Sequence, residues 1–239
     1  WTPYGATECL PVAVIEGAQL QLTRVGTDQG FGTCIGWPLP ENTVRLIKIS
    51  DEALEDWDDV LLADEGEIGE LTVAGPSATD SYIARAEANR FGKIHETLAD
   101  GSERIVHRMG DLAWQDAQGR LWFCGRKSQR LQTRQGLLGT ENVEPIFNLH
   151  PAVSRSALVG IGASPLQKPV LCIERQQGND MSEQQLFADL LAMARTHRHT
   201  QHIDSFLIHP GFPVDIRHNA KIGREQLAVW ATERLGKQP

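Results

Sequence analysis

A chain of 239 residues, 41% hydrophobic and 23% charged, has room for one large or two modest domains, and its composition is that of a folded globular protein, not a disordered or fibrous one. A formal net charge of −8 repels phosphate backbones, which excludes non-specific nucleic-acid binding. No apolar run approaches the roughly 20 residues that span a bilayer, and no basic-then-apolar signal opens the chain. Cys9, Cys34, Cys124 and Cys172 are scattered and form no CxxC pair, so free thiols in a reducing cytoplasm are expected.

In chain order, Tyr4-Gly5-Ala6-Thr7-Glu8 is a short polar turn, followed by the apolar run Pro11-Val12-Ala13-Val14-Ile15. Residues 30–38 are punctuated by Gly30, Gly32 and Gly36, which suits tight turns around short strands. Residues 44–49 and 69–75 read as strands, with Leu71 and Val73 sharing one face; residues 81–90 have helical character. Residues 111–115 and 121–125 are strands around the hairpin turn Asp116-Ala117-Gln118-Gly119-Arg120. So many short strands with glycine turns predict a small barrel or distorted sandwich. The polar, basic stretch 127–136 reads as a hinge or linker. A short helix at 141–148, strands at 157–161, 170–174 and 205–209, and helices at 182–197 and 224–235 follow; Leu186, Leu190, Leu191 and Ala194 line one face of the first long helix, and Ser182 with Gln185 resembles a capping box. The expected fold is therefore α+β: a strand-rich, distorted-barrel region over 1–126 and a small α+β domain over 127–239.

Four stretches carry chemistry, and each has a plain structural alternative. Tyr4 can stack on a purine, Thr7 can hydrogen-bond a phosphate or carboxylate oxygen, and Glu8 is a hard oxygen ligand for Mg²⁺; the same five residues also suit an ordinary polar loop. Asp111, after Gly110, can accept two hydrogen bonds from ribose hydroxyls or cap a turn. Arg126 ends the next strand, antiparallel to the first, so the two edges can bring Arg126 to Asp111, where it adds a fork of donors; alone it is a strand-end arginine. Lys221 by itself is a solvated surface charge. The run His197-Arg198-His199-Thr200-Gln201-His202 has no carboxylate or cysteine beside it to complete a metal site and reads as a helix end.

Taken together and in this order, the motifs resemble the adenylate-forming superfamily of acyl- and aryl-CoA synthetases, peptide-synthetase adenylation domains and luciferases, over nearly the whole chain. Tyr4 to Glu8 is similar to YGxTE; Gly66-Glu67-Ile68-Gly69-Glu70-Leu71 through Arg90-Phe91 to GELxIxG…Y…R…RF; Arg108-Met109-Gly110-Asp111-Leu112 to (Y/R)TGD, with Met109 in place of threonine; Gly125-Arg126 to the strand-ending GR; and Ala220-Lys221-Ile222-Gly223-Arg224 to GKIDR, with Ala220 and Gly223 departing from it. The resemblance implies ATP and Mg²⁺. It implies that Tyr4, Gly5 and Phe123 border the nucleotide, that Thr7 contacts the acyl carboxylate and phosphate, and that Glu8 holds the metal. It further implies that Asp111 binds the ribose hydroxyls with Arg126 in support, and that Lys221 bridges the α-phosphate and the attacking carboxylate. Residues 127–239 would be the mobile domain that delivers Lys221 about a hinge at Lys127 and Ser128, where Asp or Lys is more usual than Ser128.

Two features of that superfamily are missing from these residues: a Ser/Thr/Gly-rich phosphate loop and the α/β body with the acyl pocket. Both are expected to precede Tyr4, so the chain resembles roughly the last two fifths of such an enzyme and is not expected to adenylate on its own. The stretches at 4–11, 121–127 and 141–148 are most similar to the branch acting in bacterial olefin biosynthesis. That branch implies a long-chain 2-alkyl-3-hydroxy acid as substrate, a β-lactone as product, and other enzymes of the same pathway as partners. A fatty acyl-CoA ligase is the alternative, disfavoured by the loss of the usual KxxG after GR. A non-catalytic docking module is the alternative of another class.

Overall fold

A computed structural model describes residues 1–215 and 218–236, with only the backbone described at 218–220. The chain forms two compact units: Trp1–Gly26 with Phe31–Ser128, and Gln129–Pro239 with Thr27–Gly30.

The first unit is built on eight strands: β1 (Thr2–Ala6), β2 (Cys9–Ile15), β3 (Thr33–Pro38), β4 (Thr43–Ile47), β5 (Gly69–Ala74), β6 (Lys93–Thr97), β7 (Glu103–Gln115) and β8 (Leu121–Arg126). They pair antiparallel in the order β1-β2-β3-β8-β7-β5-β4, with β6 also on β7. The mixed α+β expectation holds, but the sheet is open, ending at β1 and β4, and is not a closed barrel. The thirteen-residue β7 is its spine, pairing with β5, β6 and β8. The β7–β8 hairpin forms where Asp116 predicts it. The Asp116 carboxylate accepts from the Gln118 and Arg120 amides, and from Trp122 Nε1 at 2.8 Å.

Two helices lie in this part of the chain: α1 (Gly17–Asp28) and α2 (Ala86–Gly92). No sequence signal points to α1. Of its residues only Thr23 is buried, and no apolar stripe runs along it. Helical character was expected over 81–90, yet Tyr82 lies outside the helix. Its backbone N–H and C=O bond the Asn89 side chain at 2.6 and 2.9 Å, a local alternative to the helical ladder.

The second unit contains hairpin β9–β10 (Leu131–Thr133, Gly136–Leu138), α3 (Thr140–Phe147), β11 (Val153–Ile161), β12 (Lys168–Arg175), α4 (Glu183–Arg195), β13 (Phe206–Ile208), hairpin β14–β15 (Val214–Asp215, His218–Ile222) and α5 (Arg224–Leu235). The stretch expected as a linker thus holds a hairpin; its strands are three residues each, too short for an alternation to mark them. Strand order in the central sheet is β11-β12-β13, with β13 parallel to β12. Successive residues of β12 feed two cores. Leu171 and Ile173 pack with Val143, Ile146 and Phe147 of α3 and Leu186, Leu190 and Ala194 of α4. Val170 and Cys172 pack with Leu227 and Ala231 of α5. A continuous apolar run is what a strand covered on both faces requires. The four cysteines are free and buried. Among the described residues no helix is long and apolar enough to cross a membrane.

Candidate nucleotide site

In the first unit two clusters of motif residues form around irregularities in the sheet. β7 bulges between its Leu112 and Arg108 pairings with β5, and Gly110 there adopts φ +66°, a left-handed conformation that a side chain disfavours. The bulge re-aims the next residue, Asp111, which pairs directly with Arg126 across the β7–β8 ladder. Arg126 Nη1 lies 2.8 Å from Asp111 Oδ1, and Tyr4 Oη donates to Oδ2 at 2.5 Å. The expected approach of Asp111 and Arg126 is therefore present, with Tyr4 as an unexpected third member. Asp111 is buried while Arg126 is half exposed. Arg126 approaches off the hydrogen-bonding direction, so the buried Oδ1 has no well-aligned donor.

Burial pushes the Asp111 carboxyl above the usual carboxylate range, against the pull of the Tyr4 hydroxyl and Arg126. Burial, and next the Asp111 charge, push the Tyr4 phenol far up, so it is a fixed donor. Phe123 sits beside Tyr4, ring centroids 6.0 Å apart.

β1 is itself bulged between Tyr4 and Ala6. A Cβ at Gly5 would lie 2.4 Å from the Cys9 carbonyl oxygen, so glycine is required where the two strands close together. Thr7 and Glu8 form the two-residue turn between β1 and β2; Thr7 is exposed and Glu8 half-buried. Tyr82 Oη donates to Glu8 Oε1 at 2.9 Å. Burial raises the Glu8 carboxyl, but the Tyr82 hydroxyl, its own backbone amide and the nearby positive charge of Lys93 outweigh that and hold it below its ordinary value. Glu8 is thus an ionised carboxylate at an accessible turn. Burial, and next the Glu8 bond, push the Tyr82 phenol up to about 12.

Lys127 and Ser128 open a single 3₁₀ turn, Lys127–Gln129. Lys127 Nζ reaches back to the Ser50 carbonyl at 3.0 Å and to Glu70 Oε2 at 2.9 Å. In the second unit Lys221 is exposed on β15, next to Ile222, which packs into the core under α5. The side chain of Ala220, part of the same motif, lies outside the described residues. Arg224, three positions on, forks onto the buried Glu144 at 2.5 and 3.0 Å. In the histidine-rich run, His199 Nε2 is 2.8 Å from the Asn142 carbonyl. Sequence reasoning assigned no role to Tyr82, Lys93 or Glu70. Tyr82 is 74 residues from Glu8, and no local pattern ties them.

The fold is that of the adenylate-forming ligases. The chain superposes on o-succinylbenzoate CoA synthetase from Bacillus subtilis in complex with its acyl-adenylate intermediate with a TM-score of 0.68 at 21% identity, covering 94% of this chain and 40% of that one. It also matches anthranilate CoA ligase in complex with anthranoyl-AMP, with a TM-score of 0.65 at 21% identity, covering 85% and 36%. No family model matches the chain. In sequence it is 57% identical over 238 residues to an olefin beta-lactone synthetase of Stenotrophomonas maltophilia, covering 100% of this chain and 43% of that protein. It is 56% identical to the olefin beta-lactone synthetase of Xanthomonas campestris, covering 98% and 42%. In sequence the chain is thus similar over its whole length to the C-terminal portion of the olefin β-lactone synthetases, and in fold to the adenylate-forming ligases. It spans about two fifths of the length of these curated relatives.

Proposed function

We propose that this chain is the C-terminal part of an ATP-dependent enzyme that activates a long-chain 2-alkyl-3-hydroxy acid as its acyl adenylate and closes it to a β-lactone in olefin biosynthesis. The observation that carries this reading is the 57% identity, over the whole of this chain, to a protein of that name. The Tyr4–Asp111–Arg126 cluster supports the nucleotide half of it. Asp111 Oδ1, buried without a well-aligned donor, suits a ribose hydroxyl, and Arg126 keeps the carboxylate charged as the hydroxyls bind. Tyr4, Gly5 and Phe123 border the base, and Thr7 offers a hydroxyl to carboxylate and phosphate oxygens.

Mg²⁺ fits the donor set as a metal shared with substrate: it commonly takes one or two carboxylates and completes its shell with phosphate oxygens and water, and Glu8 supplies one ionised carboxylate at an accessible turn. When bound, the ion neutralises charge on the polyphosphate. Residues 127–239 act as the mobile domain, pivoting at Lys127 and Ser128 to bring Lys221 to the reacting carboxylate and α-phosphate. The carboxylate attacks the α-phosphate and pyrophosphate leaves; the substrate's own C3 hydroxyl then attacks the activated carbonyl, giving up its proton as AMP leaves. A tethered nucleophile has a high effective concentration, which offsets ring strain and removes the need for a second substrate. The phosphate loop and acyl pocket come from an N-terminal portion of the same cytoplasmic enzyme, which works beside other enzymes of the pathway.

The complete enzyme, given ATP and a 2-alkyl-3-hydroxy acid, is expected to release AMP and a β-lactone without CoA, read by mass spectrometry and NMR. A strict CoA requirement with an acyl-CoA product and no lactone would overturn the reading in favour of an acyl-CoA ligase. Asp111→Ala removes the ribose acceptor. Hydrogen bonds to a charged group contribute about 1.5–3 kcal/mol, so ATP affinity should fall roughly 10–100-fold in a calorimetric titration. Unchanged affinity would take Asp111 out of the nucleotide site.

A further inference from the structure

The Thr7–Glu8 turn is held by two separate arms from residues 79–93. One arm runs Asn89–Tyr82–Glu8: Asn89 clamps the Tyr82 backbone through both its N–H and its C=O, and the Tyr82 hydroxyl donates to Glu8 Oε1 at 2.9 Å. The other runs through Thr79. Its amide donates to the Glu8 carbonyl at 2.8 Å, and Lys93 Nζ binds the Thr79 carbonyl and, at 3.0 Å, its hydroxyl. Lys93 also lies 5.3 Å from the Tyr82 ring centroid, and the buried His107 meets that ring edge-on at 6.4 Å. The Tyr82 ring is thus fixed by neighbours that do not touch Glu8 through its hydroxyl.

This arrangement matters because a glutamate at a hairpin turn has many rotamers open to it. A cation held by one protein carboxylate, with the rest of its shell supplied by substrate phosphates, needs that carboxylate already oriented. Partners hydrogen-bonded to a ligating carboxylate do this, and losing one typically costs 10–100-fold in metal affinity or activity. A carboxylate has about four acceptor positions, so the bond from Tyr82 leaves positions for a cation. We propose that Tyr82 is a positioning residue that holds the Glu8 carboxylate in place for a divalent cation bound together with the nucleotide phosphates. The proposal rests on the reading of Glu8 given above.

The test uses the complete enzyme with Mn²⁺ as the probe. The loss of the free-ion EPR signal is titrated in the presence of a non-hydrolysable ATP analogue. Tyr82→Phe removes one oxygen and keeps the ring, so the fold is retained. It is expected to weaken Mn²⁺ binding about tenfold while metal-free binding of the analogue stays at the wild-type value. Asn89→Ala, which loosens the Tyr82 backbone and leaves its hydroxyl, is expected to shift Mn²⁺ affinity in the same direction by less. Glu8→Gln separates the two ideas. If Glu8→Gln weakens Mn²⁺ binding and Tyr82→Phe does not, the positioning role is overturned and the reading of Glu8 stands. If both variants bind Mn²⁺ as the wild type does, Glu8 is not the metal ligand and both ideas fall. Loss of metal-free nucleotide binding in Tyr82→Phe would also overturn the role, because the pocket and not the carboxylate would then have been disturbed.

Discussion

In the complete enzyme, Lys221→Ala is expected to lower the rate of adenylation by about 10²–10³ while ATP affinity stays within a few-fold of wild type. The carboxylate that attacks and the phosphate it attacks are both anions, so negative charge concentrates as the bond forms. A cation aimed at that point stabilises the transition state more than the ground state, and removing one such contact typically costs that much in rate. The chain on the C-terminal side of Lys221 is anchored. Ile222 is packed under α5, Gly223 N–H donates to the Pro213 carbonyl at 2.7 Å, and Arg224 is forked onto buried Glu144, leaving Lys221 exposed on an anchored segment. Single-turnover adenylation and equilibrium ATP titration separate the two effects. Equal losses in rate and affinity would make Lys221 a ground-state contact.

Glu70→Gln is expected to destabilise the first unit by about 3–5 kcal/mol, the usual cost of stranding a buried charge. Glu70 and Arg108 are almost wholly buried, and Arg108 Nη2 donates to Glu70 Oε2 at 2.6 Å. The same guanidinium donates to the Ser50 and Glu52 carbonyls at 2.7 and 2.8 Å, and Lys127 also bonds Glu70. Glutamine keeps the shape and removes the carboxylate charge that both Arg108 and Lys127 meet. Lys127 is partly exposed and can turn to water; Arg108 cannot. Hydrogen exchange of the β5 and β7 amides measures the loss. Glu70→Leu with Arg108→Met, which removes both charges, should recover most of it. A near-neutral single variant would show that water reaches Arg108.

This network also marks where reading the strand pattern stops. Alternation in β5 places Leu71 and Val73 together, which is right, and leaves Glu70 and Thr72 on the opposite face. That face is not solvent: every residue of β5 is buried. Alternation reports which residues share a face and cannot report whether something covers the other one.

By itself the sequence determined the elements whose signals are local. The α4 stripe of Leu186, Leu190 and Ala194, the apolar run of β12 and the Asp116 turn each act over a few residues, through periodicity or a side chain bonding its own backbone. The turn set the β7–β8 register over Ala113–Gln115; an irregularity between Leu112 and Ala113 then shifts it by one residue before Asp111 meets Arg126, which the turn alone does not fix. The order of the motifs was legible for the same reason, since each is a short string. Only the tertiary structure decided the rest: α1, buried at Thr23 alone; the short β9–β10 hairpin; Tyr4 closing on Asp111 across 107 positions; and Tyr82 on Glu8 across 74. Both pairs are single polar groups: Tyr4 and Asp111 are brought together by strands of one sheet, Glu8 and Tyr82 by a turn and a loop that those strands carry. A hydrogen bond between distant residues leaves no periodicity in either neighbourhood, so it exists only once the sheet's pairing order is set.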